Sequence, residues 1–226
     1  MTTEPTTVLV FGASRGVGLL LTGQLRARGV PVVAMLRPGS DADALLSQGV
    51  RVVPGNALAQ GDVARAFAEA GGGCDVVSTL GGREGERMAD DEGNFNVADQ
   101  ATACSVRRMV LVTSIGCGDM APYRSERAIA AFGAAVDAKT RAELHLRRLL
   151  PSATILRPGG LKSDPPTGRG VLTRDPQMHG FIHRADVATL ICRVLRDART
   201  AGGCFAAVDA ELAHCVNPLE PVSLGD

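Results

Sequence analysis

Short apolar runs recur along the chain, separated by stretches in which apolar residues return every three or four positions. Residues 7–11 (Thr-Val-Leu-Val-Phe) form the first run, and similar ones stand at 31–36, 50–53, 75–79, 109–113 and 153–157. A run that is apolar throughout, rather than at alternate positions, predicts a strand buried on both faces. Between these runs, residues 16–28, 41–47, 61–70, 88–104 and 134–150 read as helices. Strands and helices in alternation predict an α/β fold: a doubly wound parallel sheet (Rossmann fold) with right-handed crossovers. The rhythm breaks after Pro158. Residues 158–180 are rich in Pro, Gly and polar side chains and read as a long loop, followed by a helix at 184–196 and a last strand at 204–208. Long loops in compact domains often carry function, so residues 115–133 and 158–182 are the expected substrate-pocket loops. With 226 residues and no internal repeat, the sequence predicts a single domain over residues 1–226.

Composition narrows the partners. Twenty-four basic and 24 acidic residues balance to a net charge of zero, which removes the electrostatic motive for binding nucleic acid or an anionic membrane. The six cysteines include no Cys-x-x-Cys pair and no zinc spacing, so the expectation is reduced thiols packed as small hydrophobes and no metal. The N-terminus is polar, and no run approaches the roughly 20 apolar residues that span a bilayer. These features point to a cytoplasmic protein, monomeric or a small homo-oligomer, whose partner is a small-molecule substrate.

The strongest chemical signal follows the first strand directly: Gly12-Ala13-Ser14-Arg15-Gly16-Val17-Gly18. In such a turn the first glycine permits a tight bend and the second lets backbone approach a pyrophosphate. The third lets helix and sheet pack closely, and the helix N-terminus supplies N–H groups and partial positive charge. Gly12, Ser14, Arg15, Gly16, Val17 and Gly18 are therefore predicted to hold a dinucleotide. The end of the second strand selects which one. NAD sites place an acid there for the ribose 2′-hydroxyl. Here the sequence reads Met35-Leu36-Arg37-Pro38-Gly39-Ser40, so Arg37, with Arg15 and Ser40, predicts a 2′-phosphate and hence NADP(H). The turns after the third and fourth strands add Asn56 and Ala57, then Leu80, Gly81 and Gly82, for the adenine and ribose edges.

With these pieces the chain resembles the short-chain dehydrogenase/reductase superfamily, in particular its atypical NAD(P)-binding branch related to biliverdin-IXβ/flavin reductases and NmrA-like proteins. The resemblance runs from about residue 8 to 208. It rests on the glycine turn, Gly55-Asn56, Val110-Leu-Val-Thr-Ser-Ile-Gly116, Ala138-Lys139 with Ala142-Glu143, Thr154-Ile-Leu-Arg-Pro-Gly-Gly160 and Ile182-His-Arg-Ala-Asp-Val-Ala188. It implies that Thr113 and the Pro158-Gly159-Gly160 backbone border the nicotinamide and that Lys139 bonds its ribose. Ser114 then faces the substrate, and Ile115, Gly116, Cys117 and His179 stand along the substrate side.

One departure bears on catalysis. Core members of the superfamily set a tyrosine four positions before the lysine, so that the ammonium lowers the phenol pKa for proton transfer. Here that position is Ala135, and the only tyrosine is Tyr123, in the preceding loop. Three accounts follow. Hydride transfer proceeds without a protein acid, as in flavin reduction; another group (Tyr123, Asp119, His179 or His183) substitutes; or the fold serves isomerisation, cyclisation or regulation. The leading expectation is an NADPH-dependent oxidoreductase acting on a small conjugated or carbonyl compound of flavin-, quinone- or polycyclic-like type, with Ser114, Lys139 and Tyr123 as candidate catalytic groups.

Overall fold

The computed structural model describes residues 6–81 and 89–225. In it the first apolar run forms strand β1 (Val8–Phe11), fully buried, with its side chains divided by parity. Val8 and Val10 face a cluster built with α1 (Gly16–Ala27), α2 (Asp43–Ser47) and α6 (Arg184–Arg196). Leu9 and Phe11 face a second cluster built with α3 (Gln60–Ala70), α4 (Glu92–Ala103) and α5 (Glu126–Leu149). Complete burial of each such side chain stabilises the fold by about 1.5–3 kcal/mol, which is why runs apolar on both faces become central strands.

Strand β1 lies between β2 (Val32–Leu36) and β4 (Asp75–Ser78), parallel to both, with Phe11 in register with Met35 on one side and Ser78 on the other. The sheet continues outward to β3 (Arg51–Pro54) beyond β2, and through β5 (Arg108–Val112), β6 (Thr154–Pro158) and β10 (Cys204–Asp209) beyond β4. The winding reverses between β1 and β4. In open α/β sheets the crevice at such a reversal, beyond the carboxyl ends of the strands, is where ligands bind.

The sheet departs from the all-parallel expectation at one edge. Residues 158–180, read from sequence as a loop, hold β7 (Gly160–Lys162), β8 (Gly170–Thr173) and the start of β9 (His179–His183). Strand β8 closes the eight-stranded sheet antiparallel to β10, while β7 and β9 join β11 (Ala213–His214) in a small second sheet. Three- to five-residue strands among glycines carry too little periodicity to stand out. Helix α5 also starts earlier than its periodicity suggested, because the Ser125 hydroxyl accepts from the Ala128 amide at 3.2 Å and caps it. Among the described residues no helix is long and apolar enough to cross a membrane, and the six cysteines are free thiols.

Candidate functional site

A cleft of about 950 Å³ opens at the carboxyl ends of the central strands. The glycine turn forms its floor. Gly12 has φ +83°, and a Cβ there would lie 2.7 Å from Thr79 Oγ1, whose hydroxyl donates to the Phe11 carbonyl at 3.0 Å. A Cβ on Gly18 would collide with the Gly12 carbonyl, so only glycine lets α1 sit this close to β1. Helix α1 begins with no side-chain cap on Arg15 and no acid in its first turn. The partial positive charge of its N-terminus is thus left for an anion.

Ser14, Arg15, Gly16 and Val17 line the cleft beside Arg37 and Ser40 at the end of β2. Asn56, Ala57 and Leu58 form the next wall. Asp62 fixes this turn: its carboxylate accepts the Asn56 amide at 2.8 Å, and Asn56 Oδ1 accepts the Leu58 amide at 3.1 Å. The Asn56 amide and Arg65 together hold the Asp62 carboxyl below its usual range. Leu80 and Gly81 follow β4 into the lining, whereas Gly82 lies outside the described residues. Four cationic side chains line the cleft (Arg15, Arg37, Lys139 and Arg184), and none of the described lining residues is a carboxylate. Lys139 is paired with buried Asp90, and the cationic side chains together with the bare start of α1 suit a multiply charged anion.

At the far end stand Val112, Thr113, Lys139 and Ala89. The Thr113 hydroxyl donates to Glu143 at 2.6 Å, and Arg157 grips the same carboxylate through Nε at 3.0 Å and Nη2 at 2.7 Å. Arg157 also pairs with Asp119. Burial disfavours the Arg157 cation, but the hydrogen bonds and charge of Glu143 outweigh it and hold the guanidinium above its usual pKa. Lys139 pairs with Asp90, a nearly fully buried residue just before α4. Burial pulls the Lys139 ammonium down to about 8, against the attraction of that carboxylate.

The remaining predicted residues stand apart from this lining. Ser114 is half-buried at the strand end, and Tyr123 is exposed on a 3₁₀ turn, Gly118–Tyr123. Ile115 packs against Met120, Met178 and Val208. Gly116 is buried beside Arg124, and Cys117 is fully buried, its thiol pushed up to about 12 by burial and lying 3.5 Å from the Val136 carbonyl. Pro158 and Gly159 serve the sheet: the Pro158 carbonyl accepts from Ile115 at 3.0 Å, and the Gly159 amide donates to Ala207 at 2.9 Å. Gly160 lies under the Phe181 ring, and His179 pairs in register with His214. From the predicted loop at 158–182, Leu161 and Ser163 reach the cleft. Arg184 donates to the Leu161 carbonyl at 3.1 Å and the Ser163 hydroxyl at 2.7 Å, with its side chain against Gly16. In the sequence Arg184 marks only a helix start; its place over the glycine turn depends on how α6 docks.

A doubly wound sheet with a glycine turn at its reversal and a cationic crevice above it defines an NAD(P)H-binding Rossmann protein. Residues 12–198 match the NAD(P)H-binding family, and the chain belongs to it. Among solved structures, ChuY of Escherichia coli O157:H7, described as an anaerobilin reductase, superposes with a TM-score of 0.85 at 38% identity, covering 93% of this chain and all of that one. An uncharacterized chloroplastic protein of Arabidopsis thaliana is 30% identical over 203 residues, 83% of this chain and 71% of its own length. YhfK of Bacillus subtilis, described as an uncharacterized sugar epimerase, is 25% identical over 88% of this chain and 92% of its own. These likenesses agree with the atypical branch of the short-chain dehydrogenase/reductases.

Proposed function

We propose that this protein is an NADPH-dependent reductase of extended conjugated compounds, with open-chain tetrapyrroles as the first class to test. The observation that carries the reading is the cleft itself, with four cations, no carboxylate among its described lining residues, and a glycine turn at the bare start of α1. NADPH brings four phosphate charges' worth of anion to such a site, and Arg37 with Ser40 stands where an NAD site places an acid. Full-length likeness to ChuY directs the choice of substrate class.

In this reading Gly12 to Val17 hold the pyrophosphate, Arg184 closes over it, Arg15 and Arg37 take the 2′-phosphate, and Lys139 stands by the nicotinamide ribose. The reduced nicotinamide supplies the hydride. Thr113, fixed by Glu143, walls the reacting end, and Leu161 gives it an apolar margin. The test is direct. Calorimetry with NADPH and NADH is expected to favour NADPH, and anaerobic assays with bilins, flavins and quinones are expected to show NADPH oxidation with the bilin class. Nucleotide binding without oxidation of any panel member would instead favour an epimerase-like use of the fold, the reading that likeness to YhfK supports.

A further inference from the structure

We infer that Lys139 itself donates the proton in reduction, with Asp90 as its positioning residue, in place of the tyrosine that Ala135 replaces. This rests on the reductase reading above. The inference comes from which protic groups reach the cleft. Among the described lining residues there is no Asp, Glu, His, Tyr or Cys. At the end formed by Val112, Thr113 and Ala89, two side chains carry an exchangeable proton, Thr113 and Lys139. The Thr113 hydroxyl is given to Glu143 at 2.6 Å. Among the described residues, that leaves the lysine.

The alternatives raised by the sequence lie elsewhere. Asp119 is bound to Arg157. His183 is buried beside Asp186 and Asp209, at 3.7 and 3.8 Å, and outside the cleft lining. His179 and Tyr123 are also absent from that lining.

Geometry holds the ammonium at the wall. A Cβ on Gly81 would lie 3.5 Å from Asp90 Oδ1 and 3.6 Å from Lys139 Nζ, so the turn after β4 packs directly on the pair, with Lys139 in the cleft lining and Asp90 buried behind it. Among the described residues, the charged groups around it have these partners. Asp90 faces it from before α4. Along α5, Asp137 pairs with Arg124, Arg141 with Asp91, and Glu143 with Arg157. Lysine ammonium with a pKa near 8 is a competent acid at neutral pH, whereas an ordinary lysine holds its proton too firmly. The balance is simple. Two electrons and a hydrogen reach a substrate carbon from NADPH, one Nζ–H bond breaks, and that proton bonds the substrate atom that has gained electron density. The resulting amine takes a proton back from water.

The experiment uses the full chain and two readouts. Competitive acetylation with acetic anhydride, read by peptide mass at Lys139 with Lys162 as internal reference, is expected to titrate Lys139 with a midpoint near 8. A midpoint above 10 overturns the proposal whatever the substrate. In the bilin assay, Lys139→Arg keeps the cation but not an acid of useful strength. It is expected to lose about 10²–10⁴ in kcat at saturating NADPH, and to lack the fall in rate above pH 8 that is expected of the native enzyme. Asp90→Asn is expected to move the pH limb lower, since it removes an attraction that favours the ammonium. An active native enzyme beside an equally active Lys139→Arg overturns the donor role alone. A native enzyme idle with NADPH and every panel member overturns the reductase reading and the donor with it.

Discussion

Arg157 donates two hydrogen bonds to the carboxylate of Glu143, both residues buried beneath the reacting end of the cleft. The same carboxylate accepts the Thr113 hydroxyl, so one acid ties β5, α5 and β6 at the point where they meet the cleft. Removing the cation alone leaves a buried uncompensated charge. Arg157→Leu is therefore expected to cost about 3–5 kcal/mol in denaturant unfolding, while Glu143→Leu with Arg157→Leu recovers most of it. A double variant no better than the single one would contradict this account of the pair.

Arg37→Asp tests the 2′-phosphate assignment. A charge-assisted bond is worth about 1.5–3 kcal/mol, so NADPH should bind roughly 10- to 150-fold more weakly, and NADH equally well or better. Equal losses for both nucleotides in calorimetry would place Arg37 outside the phosphate site.

Gly18→Ala tests the close approach of α1 to β1. The new methyl meets the Gly12 carbonyl, and helix and turn must separate. Overpacking of this kind costs about 1–3 kcal/mol. The expected result is a lower melting temperature together with a diminished rise in melting temperature when NADPH is added. A rise equal to that of the native protein would show that the turn tolerates the shift.

Alkaline pH should weaken the fold through its thiols. Burial raises Cys74 to about 11, Cys117 to about 12 and Cys204 to about 11, from 9.0. The folded state thus binds more protons than the unfolded one between these values. Their contribution is whole below pH 9 and is lost as pH rises through 11 to 12. At about 1.4 kcal/mol per unit, the loss is of the order of several kcal/mol. Lys139, lowered to about 8, acts in the opposite sense over pH 8 to 10.5, but is one group against four, since burial raises the Cys192 thiol as well. Denaturant midpoints at pH 8 and 10.5 measure the slope, and Cys117→Ala should flatten it.

The central strands and helices were legible because burial on both faces writes itself as unbroken apolar runs, as in Val8 to Phe11. The glycine turn was legible because backbone proximity admits so few residue types. Less could be read where position depends on docking between distant segments. Arg184 reaches the glycine turn across more than 160 residues of chain, and nothing in its neighbours announces that. The Pro158-Gly159-Gly160 segment shows the converse. Its glycines signal close approach, and the structure shows which chain comes close, Gly180 and Phe181, from a segment about 20 residues away. Cys117 follows Ser114 by three positions, yet the intervening turn sends it inward.

Gln24 joins the two helices that flank the anion seat. From α1, its amide nitrogen donates to the Ala185 carbonyl at 3.0 Å and its oxygen accepts the Thr189 hydroxyl at 3.1 Å, both on α6. The turn at the head of α1 and the guanidinium at the head of α6 are thereby stapled into one jaw before any nucleotide arrives. The entropy of bringing them together falls on folding and not on association, so more of the attraction between phosphates and protein is expressed as affinity.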